Sequence, residues 1–331
     1  MPAPFTRVTR RRALLGATAG IVVSGLLLWW LLPLGEPAPS GRVTISTGAH
    51  TGVYEKYGNL LKTALSRDIP RLDVSLTSSE GSWDNVERVA TGKADFTIAA
   101  ADAVAKYQDE DRAGATRLRG CARLYDDYMQ LVVARSSPVK KVADLRGKRV
   151  AVGGGRSGVR LIADRVLRAA GLDIDRDVTP VGIGIDTMPT ALKAGKIDAF
   201  FWSGGLPTNH VRTLSQEYPV RLVELGSLVD TLHKQGASSR YYRAAVMPAD
   251  AYPAAQLGRS VSTLAVANLL VTTDRTDPGL TEAMTRTVID SRDHIGAEVH
   301  AAQLVDLRTA VYTDPLSLHE GARRYYRSVK P

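Results

Sequence analysis

A chain of 331 residues, 44% hydrophobic and 23% charged, can bury the cores of two ordinary domains and needs no disulfide or metal staple. Its single cysteine, Cys121, excludes an intramolecular disulfide, and its six scattered histidines include no pair at helical metal spacing, which argues against a metalloenzyme. The formal net charge of +9 does not mark a nucleic-acid binder, because Arg7, Arg10, Arg11 and Arg12 precede the folded part and the remaining basic residues are interleaved with acids, with no basic run bearing stacking aromatics.

Residues Ala13 to Leu34, ALLGATAGIVVSGLLLWWLLPL, carry no charge and would span about 33 Å as a helix, enough to cross a bilayer. All four arginines stand before this run, so the positive-inside rule makes residues 1–12 a cytoplasmic basic segment and sends everything after Leu34 to the outer face. Arg11-Arg12-Ala13-Leu14-Leu15 resembles a twin-arginine export signal, which leaves both the Tat and the Sec route open. The small-residue cleavage site ending at Ala38 has Glu36 at its minus-three position and Pro39 after it, which favours an uncleaved signal anchor over residues 13–34. Residues 35–41 follow as a short, stiff linker.

From Arg42 onward, short β-branched runs alternate with helical stretches, the pattern of α/β layers with mostly parallel strands. The predicted strands are Val43–Thr47, Leu72–Thr77, Phe96–Ala100, Met129–Ala134, Arg149–Val152, Val178–Ile183, Ala199–Trp202, Val220–Glu224 and Val261–Val271. The predicted helices are Val53–Ser66, Trp83–Ala90, Val159–Ala170, Thr187–Ala194, Thr208–Gln216, Leu280–His294 and a last one from Leu318 to about Ser328. One internal echo stands out: Gly92-Lys93-Ala94-Asp95-Phe96 and Gly195-Lys196-Ile197-Asp198-Ala199-Phe200 each follow an apolar helix and lead into an apolar strand. In both, glycine stops the helix in the left-handed conformation, lysine complements its carbonyl end and aspartate starts the strand. The matching placement predicts two related lobes, residues 42–134 with 246–331 as lobe one and 135–245 as lobe two, with a cleft where strand ends and helix starts face each other.

Four segments put glycines and small hydroxyl residues between a strand and a helix, where free backbone N–H groups and the helix dipole favour an anion. They are Thr47-Gly48-Ala49-His50-Thr51-Gly52-Val53-Tyr54, Ser79-Glu80-Gly81-Ser82-Trp83-Asp84-Asn85, Gly153-Gly154-Gly155-Arg156-Ser157-Gly158 and Ser203-Gly204-Gly205-Leu206-Pro207.

In sequence order, TG…TGVY, GSWDN, GKADFTIAAADA, DLRGKRVAVGGGRSG and GKIDAFF…GG.P resemble the TAXI family, the TRAP-associated extracytoplasmic solute receptors, over nearly all of residues 43–330. The resemblance implies a type II periplasmic-binding-protein fold of two α/β lobes around a ligand cleft, here preceded by the transmembrane helix. It also implies a small carboxylate or amino-acid-like ligand, delivery to a TRAP-type membrane permease, and no cofactor. By motif, Tyr54 would cover the ligand, Ser82 and Asn85 would hydrogen-bond it, and Asp102 would meet an ammonium or hydroxyl. Ser157 and Gly158 would donate from the lobe-two helix start, while Gly204, Gly205 and Pro207 would shape the rim. Thr47, Gly48, Gly81 and Trp83 belong to the same ligand-binding segments. The sequence departs from the family at His50, at Trp83 and at Arg156 and Arg160; the two arginines are candidate anion contacts, and together the departures suggest an anionic ligand with an apolar or flat part.

Gly153 to Gly158 fits G-x-G-x-x-G formally, but Asp173, Asp175 and Asp177 all precede the next predicted strand instead of ending it, and neither G-x-S-x-G nor H-E-x-x-H occurs. The pair Asp126-Asp127 reads as surface charge. The chain is therefore expected to be a binding protein with no catalytic residues, the alternative being a membrane-tethered sensing module that signals ligand occupancy to a membrane partner.

Overall fold

The computed structural model describes residues 22–24, 38–50 and 52–329, and the chain forms two compact units, Met1–Ala38 and Pro39–Pro331. In the first unit Val22, Val23 and Ser24 are helical and exposed. The basic segment 1–12 and the rest of the expected anchor 13–34 lie outside the described residues, as does the linker before Ala38. Among the described residues, no helix is long and apolar enough to cross a membrane.

The second unit is built on a ten-stranded mixed sheet. Its strands are β1 (Gly41–Ser46), β2 (Leu72–Thr77), β3 (Phe96–Ala100), β4 (Leu118–Ala134), β5 (Arg149–Ala151), β6 (Thr179–Val181), β7 (Ala199–Gly204), β8 (Val220–Val223), β9 (Arg243–Met247) and β10 (Val261–Thr273). The longer helices are α1 (Val53–Asp68), α2 (Ser82–Ala90), α3 (Ala101–Asp109), α4 (Gly158–Ala169), α5 (Asn209–Glu217), α6 (Pro278–Asp290) and α7 (Glu320–Val329). The strand order is β2-β1-β3-β10-β4-β7-β5-β6, with β8 paired to β4 and β9 to β10.

Two halves of this sheet repeat one plan. β1 lies between β2 and β3 and is parallel to both, and β5 lies in the same way between β6 and β7. A long antiparallel strand then flanks each set, β10 beside β3 and β4 beside β7. The internal echo falls at equivalent places. Gly92 and Gly195 both have positive φ, 79° and 63°. Asp95 accepts the Thr44 N–H of β1 at 2.7 Å and donates its own N–H to the Thr44 carbonyl at 2.8 Å. Asp198 repeats both bonds with Arg149 of β5, each at 2.8 Å. The aspartate thus ties the first residue of a new strand to its parallel neighbour, a role that needs a short acceptor side chain at that position.

β4 and β10 are the strands that run through both halves. β4 pairs with β10 from Leu118 to Tyr128, then with β7 from Tyr128 to Val133 and with β8 from Leu131 to Ala134. β10 pairs with β9 over Val261–Ala265 and with β3 over Asn268–Val271. Here the structure departs from expectation, since the sequence pattern predicts β4 only over Met129–Ala134 and predicts no strand at β9. Charges at Arg119, Arg123, Asp126 and Asp127 break the apolar pattern of β4, and β9 is a five-residue strand with one buried position, at Met247. Helix α3 was likewise unassigned, and the helix expected over Leu280–His294 is two, divided at Ser291.

The helices bury apolar faces on both sides of the sheet. Tyr57, Leu61 and Leu65 of α1 pack with Val43, Ile45 and Val74 and with Met284, Val288 and Tyr325 of α6 and α7. A second core joins Val86 of α2, Val104 of α3 and Ile162 and Val166 of α4 to Leu131 and Val133 of β4. Phe200, Val211, Leu214 and Tyr252 form a third. Each fully buried side chain of this kind stabilises by about 1.5–3 kcal/mol before entropy is counted.

Candidate functional site

Each parallel strand of the two halves ends in a turn that opens a helix. The turn after β1 leads to α1, that after β2 to α2 and that after β5 to α4, so three helix starts converge where the halves meet. Ser157 caps α4, its hydroxyl accepting from the Arg160 N–H at 3.1 Å. The starts of α2 and α4 lie in contact, and the backbone at Gly81 takes a conformation that favours glycine. Gly81 has φ 123°, and a Cβ there would lie 3.4 Å from Ser157 Cα; a Cβ on Gly158 would lie 3.1 Å from Ser82 Oγ.

Between these starts lies a cavity of about 100 Å³, into which the fold brings Gly48, Tyr54, Gly81, Ser82, Ser157 and Gly158. The Tyr54 hydroxyl lies 3.1 Å from Ser82 Oγ and donates to Asn268 Oδ1 of β10. Burial, with the Asp127 charge adding to it, raises the Tyr54 pKa well above the usual phenol range, so the group is a neutral donor. Ser82 Oγ also accepts from the Ala100 N–H at 3.2 Å, which fixes its position against β3.

Other motif residues sit elsewhere. Asn85 is completely buried; its Oδ1 accepts from Ser46 Oγ at 2.7 Å and its amide donates to the Ile98 carbonyl at 2.9 Å, so it ties α2 to β1 and β3 and does not line the cavity. Thr47 is buried too, its hydroxyl held by Glu55 and the Thr77 carbonyl. Trp83 points away from the cavity, its ring 5.4 Å from Tyr107 and flanked by Lys106 and Arg112. Gly204 ends β7, and Gly205 and Pro207 line an adjoining pocket of about 320 Å³, separated from the cavity by Trp202 and Ile185, which line both.

Asp102 is fully buried in a network outside the cavity. Its Oδ2 accepts from the Tyr242 hydroxyl at 2.7 Å and lies 3.6 Å from the Arg165 guanidinium, which in turn donates to Tyr242 at 2.7 Å and to Ser238 at 2.6 Å. Burial raises the Asp102 pKa, and Arg165 opposes that rise. The expected anion contacts are already matched by carboxylates. Arg156 pairs with Asp84 and Glu87 of α2, and its N–H donates to Glu80 at 3.1 Å, while Arg160 pairs with Asp175 at 3.1 Å. His50 hydrogen-bonds Ser78. Asp173 and Asp177 are held by local backbone N–H groups and by Arg176 and Arg146.

The reading of Asp126-Asp127 as surface charge is overturned, because both lie inside β4 at 7% and 5% exposure. Strand alternation sends them to opposite faces. Asp126 meets Arg123 at 2.6 Å and also Arg243, whereas Asp127 lines the cavity and its Oδ1 has no hydrogen-bond partner. Burial pushes the Asp127 carboxyl up to about 7, with Asp126 and Asp102 adding to the rise and Asn268 opposing it. Among the described residues, Glu80 and Asp127 are the charged residues of the lining, and no lysine or arginine belongs to it. Among the described residues, no group of His, Cys, Asp or Glu comes together that could hold a metal ion, and burial makes the Cys121 thiol a weaker acid than a free one.

The NMT1-like family matches residues 45–329. Among solved structures the chain is similar to a protein from Bordetella bronchiseptica RB50, at 18% identity with 88% of this chain and 90% of that chain covered and a TM-score of 0.52. It is similar also to XAC2383 from Xanthomonas citri bound to chloride ion, at 13% identity, 87% and 99% coverage and a TM-score of 0.50. A third likeness is to the alkanesulfonate-binding protein SsuA from Xanthomonas axonopodis pv. citri bound to MOPS, at 18% identity, 90% and 86% coverage and a TM-score of 0.49. At these identities the first two show the fold alone, the α/β periplasmic-binding-protein-like architecture expected from the sequence.

Proposed function

This chain belongs to the NMT1-like family, and on that premise we propose that it is an extracytoplasmic solute-binding protein whose two lobes close on one small polar ligand and pass it unchanged to a membrane permease. The observation that carries this reading is the cavity between glycine-bordered helix starts contributed from both halves of the sheet. Such starts present backbone N–H groups, and the hydroxyl groups of Ser82, Ser157 and Tyr54 stand beside them.

On this reading residues 42–134 with 246–331 form lobe one, residues 135–245 form lobe two, and β4 and β10, which serve both halves, carry the hinge. Ligand enters the open cleft, and closure is selected because the ligand touches both lobes only when they are together. The contacts of Arg156 with Asp84, Glu87 and Glu80 then join the lobes in the closed form. The resemblance to TAXI receptors supports a TRAP-type permease as recipient and a small carboxylate or amino-acid-like ligand. The uncharged run 13–34 supports export with an uncleaved amino-terminal anchor.

Calorimetric titration of the purified protein with small carboxylates and amino acids tests the proposal. Saturable binding without turnover is expected, and Ser82→Ala and Ser157→Ala should each weaken it by about 0.5–1.5 kcal/mol, the net worth of one hydrogen bond. Unchanged affinity in both variants would place the ligand elsewhere.

A further inference from the structure

The cavity holds one feature that its helix starts do not explain. Asp127 is 95% buried, lines the cavity and presents an oxygen with no partner, and among the described residues no cationic side chain shares the lining with it. Its neighbour in sequence, Asp126, meets Arg123 and Arg243 on the other face of β4. The nearby guanidinium of Arg165 is engaged by Asp102, Tyr242 and Ser238.

We propose that Asp127 selects the ligand: its carboxylate receives a positively charged nitrogen, so the cavity accepts a small molecule bearing an ammonium group and rejects the matching acid that lacks one. This rests on the receptor reading above and deepens it, and it replaces the anionic ligand expected from Arg156 and Arg160, both of which are paired.

Three observations converge. A buried carboxylate without a counter-charge is costly, and a cationic ligand removes that cost where a carboxylate ligand would add repulsion. The Tyr125 hydroxyl, which feels the charge of the same carboxylate, is also buried without a hydrogen-bond partner, so a second unmet polar group lies close to Asp127. Size fits as well: an engineered cavity of about 150 Å³ holds benzene, so a space of about 100 Å³ suits a ligand of a few heavy atoms. Its ammonium would rest on Asp127 while its polar or acidic end meets the N–H groups at the starts of α2 and α4.

The groups that act on Asp127 are Tyr54 on α1, Asp102 on α3, Asn268 on β10 and Tyr125 on its own strand, with Asp126 acting from the other face of β4, and none of these is cationic. With its carboxyl pushed up to about 7, Asp127 is protonated in mild acid. Affinity for an ammonium-bearing ligand therefore rises as pH increases through neutrality and levels off above it.

The test titrates purified protein at pH 8 with matched pairs, L-alanine against propionate, L-serine against glycerate and L-glutamate against glutarate. The amine-bearing member of at least one pair binds about tenfold or more tightly than its partner, and Asp127→Asn removes that preference. Thermal melting of Asp127→Asn, an isosteric and uncharged replacement, checks that the variant is folded, and the same titration at pH 6 shows the weaker binding. An acid that binds as tightly as its amine partner, or a preference that survives in Asp127→Asn, overturns the assignment and leaves the receptor standing. No saturable binding by any probe overturns the receptor reading and the assignment together.

Discussion

Asp102 and Asp127 are both buried carboxylates whose Oδ1 has no hydrogen-bond partner, yet they differ in the charge placed beside them. Asp102 has an arginine and a tyrosine hydroxyl on one oxygen and belongs to a network that ties α3 and α4 to the segment around Tyr242. Asp127 has a cavity on one side and no cation within it. Burial raises the pKa of both, but for Asp102 the protein supplies the compensating charge, whereas for Asp127 it leaves the place open. The contrast separates a carboxylate that holds the fold from one available to a ligand, although the two cannot be told apart by burial alone.

The largest test of that contrast is Asp102→Ala. It strands Arg165 and Tyr242 in the interior and should cost about 3–5 kcal/mol of stability by chemical denaturation, whereas Asp127→Asn should cost nothing at pH 8. Equal losses at the two positions would erase the distinction.

Next comes the pH dependence of unfolding. The unfolded chain releases the Asp127 proton near its ordinary value of 3.8, but the folded chain holds it until about 7. Stability therefore falls as pH rises between those values and the cost is complete above about 7, with a ceiling of roughly 4 kcal/mol for a shift of this size. Denaturation midpoints followed from pH 4 to pH 8 should lose the Asp127 share of that slope in Asp127→Asn, and an identical slope would contradict the uncompensated burial assigned to Asp127.

The smallest effect concerns the surface pairs. Arg156→Ala removes a half-exposed contact between α2 and the turn before α4 and should weaken ligand binding only about threefold, in line with a partly exposed ion pair. A loss of a hundredfold would make Arg156 a direct ligand contact and return the site to an anion binder.

Much of this arrangement was legible in the sequence. The glycine turns after β1, β2 and β5 and the repeated Gly-Lys-x-Asp stop announced helix starts and strand beginnings, because those residues act locally through positive φ and short side-chain bonds. What stayed hidden depends on partners far along the chain. β4 reads as a strand only once Arg243, 117 positions from Asp126, and Asp274, 155 positions from Arg119, are seen to neutralise its charges. Apolar alternation breaks at these charges, and Asp127, which has no counter-charge among the described residues, reads in the sequence as one more exposed acid beside Asp126. Asn85 and Asp102 were drawn to the ligand by motif, but a motif fixes their order and not the helix face they occupy, and both turn inward to bind the protein itself.

The central claim is that ligand is enclosed by closure of two lobes about β4 and β10. Fluorescence energy transfer between dyes on cysteines introduced at the exposed Lys62 and Lys196, with buried Cys121 left unlabelled, reads that closure directly. Saturation with the tightest-binding probe should shorten the distance between the dyes, and to a smaller extent in Arg156→Ala. Binding heat accompanied by an unchanged distance would contradict the account.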